Sequence, residues 1–144
     1  MESKRVERAS RADASGVAGL AEVVLNVRDM TRARDFYEGL LGLEVISPPD
    51  LPGPVFLRAG RAMDELPAMV VLVQLPADAP GFAAPRTLHH LALAVRAEAF
   101  DGVVAAIRGA GLEIRTGQHP VLAARTVYVD DPDGNEVELI APLG

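Results

Sequence analysis

His90 and Glu138 are the residues on which chemistry is most readily built in this chain. His90 lies in residues 88–95 (LHHLALAV), where it alternates with Leu91 and Leu93. In a strand, that alternation turns its imidazole away from the large apolar side chains. Glu138 stands between Val137 and Leu139 in residues 127–142 (VYVDDPDGNEVELIAP), a stretch otherwise suited to a buried strand. A carboxylate inside an apolar strand is costly unless a cation, a proton or hydrogen-bond donors satisfy it. Imidazole and carboxylate are both ligands of transition-metal ions, so the pair is a candidate metal site. Two other readings remain open. The alternative for His90 is a core histidine donating to a backbone carbonyl, and for Glu138 an ion pair with Arg58 or Arg125.

Three further side chains bear on the same question. Tyr128 lies near the terminal strand and is a candidate donor to a bound oxyanion, with core packing as its alternative. His119 is a candidate acid–base group, but residues 116–122 around it carry no clear strand pattern. His89 is expected to point away from the site, because adjacent strand residues face opposite sides. The chain has no cysteine, which excludes thiolate metal sites, disulfides and cysteine nucleophiles. No glycine-rich phosphate loop and no Gly-x-Ser-x-Gly elbow is present.

The elements that must position these residues repeat along the chain. Residues 21–27 (AEVVLNV) read as a strand, followed by a helix over 32–41 with Ala33, Phe36, Tyr37, Leu40 and Leu41 at helical spacing. Asp29 or Thr31 is placed to cap that helix, and Gly42 to end it. Short strands are expected at 43–46, 55–58 and 69–75, with the proline-rich 47–54 outside any central sheet. In the second half, a strand through His90 precedes a helix with Phe100, Val103, Val104 and Ile107 at helical spacing, ending at Gly109 or Gly111. Residues 112–114 (LEI) echo 43–45 (LEV), and strands at 127–129 and 136–141 flank the turn 131–135 (DPDGN), read as structural. Glu22 lies 68 residues before His90, and Gly42 lies 69 before Gly111. The pattern predicts an α+β fold: two tandem βαβββ modules, about 20–76 and 87–142, forming curved mixed sheets around a cleft with the helices outside. Residues 1–19 are expected to be a flexible arm and 20–144 one domain.

Composition narrows the function classes. The 144 residues are 49% hydrophobic, enough for a core, and the net charge is −6. Without a basic footprint, nucleic acid is not the expected partner. No apolar run approaches the roughly 20 residues that span a bilayer, and the first 18 residues lack the apolar segment of a secretory signal. A cytoplasmic location and no membrane partner are expected.

The chain resembles the vicinal oxygen chelate superfamily, which includes glyoxalase I, methylmalonyl-CoA epimerase, extradiol dioxygenases, fosfomycin-resistance enzymes and bleomycin-binding proteins. The resemblance covers about residues 20–142. It is carried by Asn26-Val27-Arg28-Asp29 before Phe36-Tyr37, by Leu41-Gly42-Leu43, by His89-His90-Leu91-Ala92, and by Asp131-Pro132-Asp133-Gly134-Asn135 with Glu138-Leu139. It implies up to four metal ligands, two in each module, falling on Glu22, His90 and Glu138. The remaining position falls at Val71 or Leu72, neither of which binds metal, and Gln74 needs a shifted register to reach an ion. This departs from glyoxalase I and the epimerase. Extradiol dioxygenases also omit that ligand, but use two histidines and one carboxylate, where this chain has Glu22 in place of one histidine. One histidine and two carboxylates suit Fe, Mn, Zn or Ni.

The resemblance thus implies a divalent-metal enzyme of dioxygenase, lyase or isomerase type, acting on a small molecule that chelates through neighbouring oxygens. The alternative is a metal-free protein of bleomycin-resistance type that sequesters a drug or metabolite. The scarcity of aromatic residues (four Phe, two Tyr, no Trp) leaves such a ligand few stacking partners. A homodimer is also implied, with Glu22 from one subunit and the pair His90 and Glu138 from the other.

Overall fold

The computed structural model describes residues 16–83 and 86–143; residues 1–15 of the expected arm lie outside that range. The first module runs β1 (Glu22–Val27), α1 (Met30–Arg34), a π-helical turn (Asp35–Leu40), β2 (Glu44–Val45), β3 (Val55–Met63) and β4 (Leu66–Gln74). The second runs β5 (Leu91–Ala94), a 3₁₀ turn (Ala97–Ala99), α2 (Phe100–Gly109), β6 (Arg115–Gly117), β7 (Ala124–Asp130) and β8 (Glu136–Pro142). Each module is one four-stranded mixed sheet, ordered β1-β4-β3-β2 and β5-β8-β7-β6. The outer pairs β1·β4 and β5·β8 are parallel and all others antiparallel. This is the predicted βαβββ plan, twice.

Local chemistry explains the boundaries. Asp29 caps α1, its carboxylate accepting from the Arg32 N–H at 3.2 Å. The helix then widens, with the Leu41 N–H donating to the Phe36 carbonyl five residues back. Gly42 and Gly111 turn the chain after each helical segment at φ +74° and +80°, a region that favours glycine. The β3–β4 hairpin is longer than the pattern predicts: the ladder runs on past Arg58 to Met63 and Leu66, with register shifts, and the reversal is confined to Asp64-Glu65. The strand expected at 112–114 forms instead at Arg115–Gly117, because its pairing is set by β7. Leu112 and Ile114 pack against the core without joining the sheet.

One face of each sheet is apolar and buried. Leu25, Val27, Leu57, Val70 and Leu72 supply it in the first module, and Leu91, Val127, Val129, Val137 and Leu139 in the second. Ala33, Phe36 and Tyr37 from the first helical segment and Phe100 and Ile107 from α2 complete a single core cluster. Burying a side chain such as Leu57 or Ile107, each fully covered, contributes about 1.5–3 kcal/mol. The opposite faces carry Glu22, Val24 and Asn26 in β1 and Ala92 and Ala94 in β5, all exposed. The candidate site lies on that second face.

A buried polar junction docks the modules. The Tyr37 hydroxyl donates to Asp131 Oδ2 at 2.6 Å across 94 residues of sequence. Asp131 also accepts from the Asp133 N–H (2.9 Å), the Asn135 N–H (2.8 Å) and the Asn135 amide (2.9 Å). The Arg28 N–H donates to Asp133 Oδ1 at 2.8 Å, while Asp133 Oδ2 is buried with no hydrogen-bond partner. The 131–135 turn is therefore structural, as its residues suggest.

Burial raises the Asp133 carboxyl above its usual range; the Arg28 backbone N–H opposes the shift, Asp131 adds to it, and the Arg86 and Arg28 charges oppose it. An aspartate raised by folding contributes most below its ordinary value of 3.8, and that contribution is lost as pH rises through the raised value. Asp133→Asn keeps the acceptor for Arg28 and removes the orphaned charge. Relative to wild type, the variant should be more stable at pH 7 than at pH 3. Denaturant melts at the two pH values check this; an equal difference at both contradicts it.

Candidate metal centre

Registration of the two sheets resolves which residues are equivalent. Val24 pairs with Val71 in the first module, and Ala92 pairs with Glu138 in the second. With Glu22 matched to His90, Val71 is the counterpart of Glu138. Val71 is buried yet absent from the core cluster, as expected for a residue on the site face. The same step matches Phe56 to Tyr128, since each lies beside the matched residue on the next strand. One wall is thus apolar, with Val24, Val71 and Phe56. Its counterpart carries Ala92, Glu138 and Tyr128.

Glu138 is the centre of the polar wall. Its side chain is 4% exposed. Thr126 Oγ1 donates to its Oε1 at 2.7 Å, and the Tyr128 hydroxyl does so at 3.3 Å. Its Oε2 lies 3.1 Å from His90 Nε2. The arginines expected to neutralise it pair elsewhere, Arg58 with Glu44 and Arg125 with Asp101. Tyr128 is held over Gly117, where an added Cβ would fall 2.7 Å from the ring. The Tyr128 ring also meets the His90 ring edge-on, with centroids 6.0 Å apart.

His90 and Glu138 fit a shared ion. Two ligand atoms each about 2.1 Å from a metal and near a right angle lie about 3 Å apart, the spacing seen between Nε2 and Oε2. Glu22 does not join them: among the described residues, no three His, Asp or Glu side chains form a group able to hold a metal. His119 turns back on its own loop, its Nδ1 accepting from the Val121 (3.1 Å) and Leu122 (2.9 Å) N–H groups. Gln74 is spent elsewhere too. Its Oε1 accepts from the Met30 N–H at 2.9 Å and its amide donates to the Arg28 carbonyl at 2.6 Å, which ties β4 to the start of α1.

His89 corrects the alternation argument. It does not point away from His90; their Nδ1 atoms are 2.8 Å apart and their rings meet at 72°. Regular pairing begins only at Leu91, so residues 89 and 90 lie before the ladder and escape its strict alternation. Next to His90, a cavity of about 330 Å³ opens at the seam of the modules, walled by Val23, Met69, Val70, Leu91 and Leu93.

Two βαβββ sheets of matching strand order define a class of proteins built by module duplication. The chain belongs to the Glyoxalase/Bleomycin resistance protein/Dioxygenase superfamily, whose model matches residues 19–139. Solved structures with the same fold include a glyoxalase/dioxygenase from Nostoc punctiforme, at 22% identity and a TM-score of 0.67, covering 87% of this chain and 91% of that one. The trypanothione-dependent glyoxalase I of Leishmania major aligns at 25% identity and a TM-score of 0.63, covering 85% of each chain. The fosfomycin resistance protein FosX of Listeria monocytogenes aligns at 20% identity and a TM-score of 0.61, covering 87% of this chain and 93% of that one. No described helix is long and apolar enough to cross a membrane.

Proposed function

We propose that this protein is a divalent-metal-dependent enzyme acting on a small substrate that chelates through neighbouring oxygens. The observation that carries the reading is the buried Glu138 carboxylate, 3.1 Å from His90 Nε2 on an open sheet face. His90 and Glu138 would hold the ion, with Glu22 delivered by a second copy of the chain in a homodimer. Supporting the shared site, Glu22 stands apart from the pair, and Val24 beside it is an apolar side chain left 52% exposed. A divalent ion bound there would supply Lewis-acid stabilisation of negative charge on substrate oxygens. The residues of the chain do the rest. Thr126 fixes the Glu138 carboxylate, and Tyr128, with its hydroxyl at the rim, donates to an oxyanion. Val24, Val71 and Phe56, on the same sheet face as Glu22, would come with it from the second copy as the apolar wall against which the carbon skeleton lies.

Val71 in place of a ligand favours a three-ligand pattern, closer to ring-cleaving dioxygenases than to glyoxalase I. Oxygen uptake on a catechol panel is the expected positive assay, and hemithioacetal isomerisation the expected negative one. The second reading is a metal-free binding protein, favoured because both Glu138 oxygens already have hydrogen-bond partners. Elemental analysis after reconstitution with Fe²⁺, Mn²⁺, Zn²⁺ or Ni²⁺ separates the two. About one ion per chain, weakened at least about tenfold in Glu22→Ala, is the expected result; substoichiometric metal with every ion selects the binding protein.

A further inference from the structure

We infer that His89 is a positioning residue for metal binding, accepting the Nδ1 hydrogen of His90 so that His90 Nε2 is bare for the ion. The inference rests on the metal-dependent reading and adds a residue to it. Two ring nitrogens at 2.8 Å require one hydrogen between them. With His90 Nε2 donating to Glu138 at 3.1 Å, the chain of hydrogens runs from His89 Nδ1 to His90 Nδ1 and from His90 Nε2 to the carboxylate.

With Nε2 given to an ion, this chain of hydrogens would run the other way. His90 would release its Nε2 hydrogen to solvent and gain the one at Nδ1, so its charge would be unchanged. His89 gives up its Nδ1 hydrogen and takes one from solvent at Nε2, which it can do because it is exposed. A carboxylate or backbone carbonyl beyond a ligand histidine serves only as acceptor. Imidazole donates in one state and accepts in the other, so one contact fits both the empty and the loaded site. Its place in the chain has a local cause. Residues 89 and 90 precede the β5 ladder, and only there can adjacent side chains share one face.

Titration calorimetry with Zn²⁺ and Mn²⁺ on the full chain tests the role through affinity rather than turnover. His89→Ala should weaken binding about 10–100-fold, the range for loss of a partner behind a ligand histidine. His89→Asn keeps an acceptor oxygen near the Nδ1 position and should bind close to wild type. Equal affinity in wild type and His89→Ala overturns this inference alone. Equal weakening in both variants assigns His89 a packing role and overturns it as well. A wild-type chain that takes up neither ion removes the metal reading and this inference together.

Discussion

Glu138→Gln is expected to abolish tight metal uptake, lowering affinity about 100-fold or more, while leaving the metal-free fold as stable as wild type. Glutamine has the shape of glutamate, and its carbonyl oxygen can accept from Thr126 and Tyr128 as Oε1 does now. His90 can present its other tautomer to the new amide. The substitution removes a buried charge without removing its volume, and replacing a buried ionised group by a neutral one of the same shape is commonly neutral or stabilising. What it removes is the anionic oxygen 3.1 Å from His90 Nε2 that an ion would share. Calorimetry and thermal melts on the same sample check both halves. Unchanged metal affinity would mean that Glu138 is a structural carboxylate satisfied by its three donors, as in the binding-protein reading.

Asp131→Ala should cost about 3 kcal/mol, since it strips a buried hub and leaves its donors unpaired. Tyr37, the Asp133 and Asn135 backbone groups and the Asn135 amide all donate to that carboxylate. Tyr37 is fully buried, so its hydroxyl has no water to turn to. Burial and the neighbouring Asp131 hold that hydroxyl well above the usual tyrosine range, which keeps it a donor at any working pH. For a chain of this size the loss corresponds to a fall of about 10 °C in Tm. Tyr37→Phe alone should cost about 1.5–2 kcal/mol. Combined with Asp131→Ala it should add little more, because the two remove one shared contact. Full additivity of the two costs would show that the contact does not couple the modules.

The split between what was legible and what was not follows the range of the forces involved. Module duplication was readable because local patterns recur: the strand–helix–glycine order repeats at a spacing of 68 to 69 residues, and each glycine does adopt positive φ. Glu138 was readable because a charge in an apolar run is anomalous whatever surrounds it. The position of β6 was not, since a three-residue strand is chosen by the neighbour it pairs with. Gln74 reads as polar decoration until β4 brings it under the start of α1. His89 was misplaced by an alternation rule that holds only inside a ladder.

Fold class, family likeness and the candidacy of His90 and Glu138 were legible in the chain, because period, turn chemistry and the cost of buried charge are local properties. Packing was needed to show that Val71 is the counterpart of Glu138 in the duplicated plan, that Thr126 and Tyr128 hold that carboxylate, and that His89 stands behind His90. It also left Glu22 outside the cluster. These are matters of register and docking, fixed by contacts between residues far apart in the chain. A single sequence states the side chains available, whereas the packed sheets decide which of them meet.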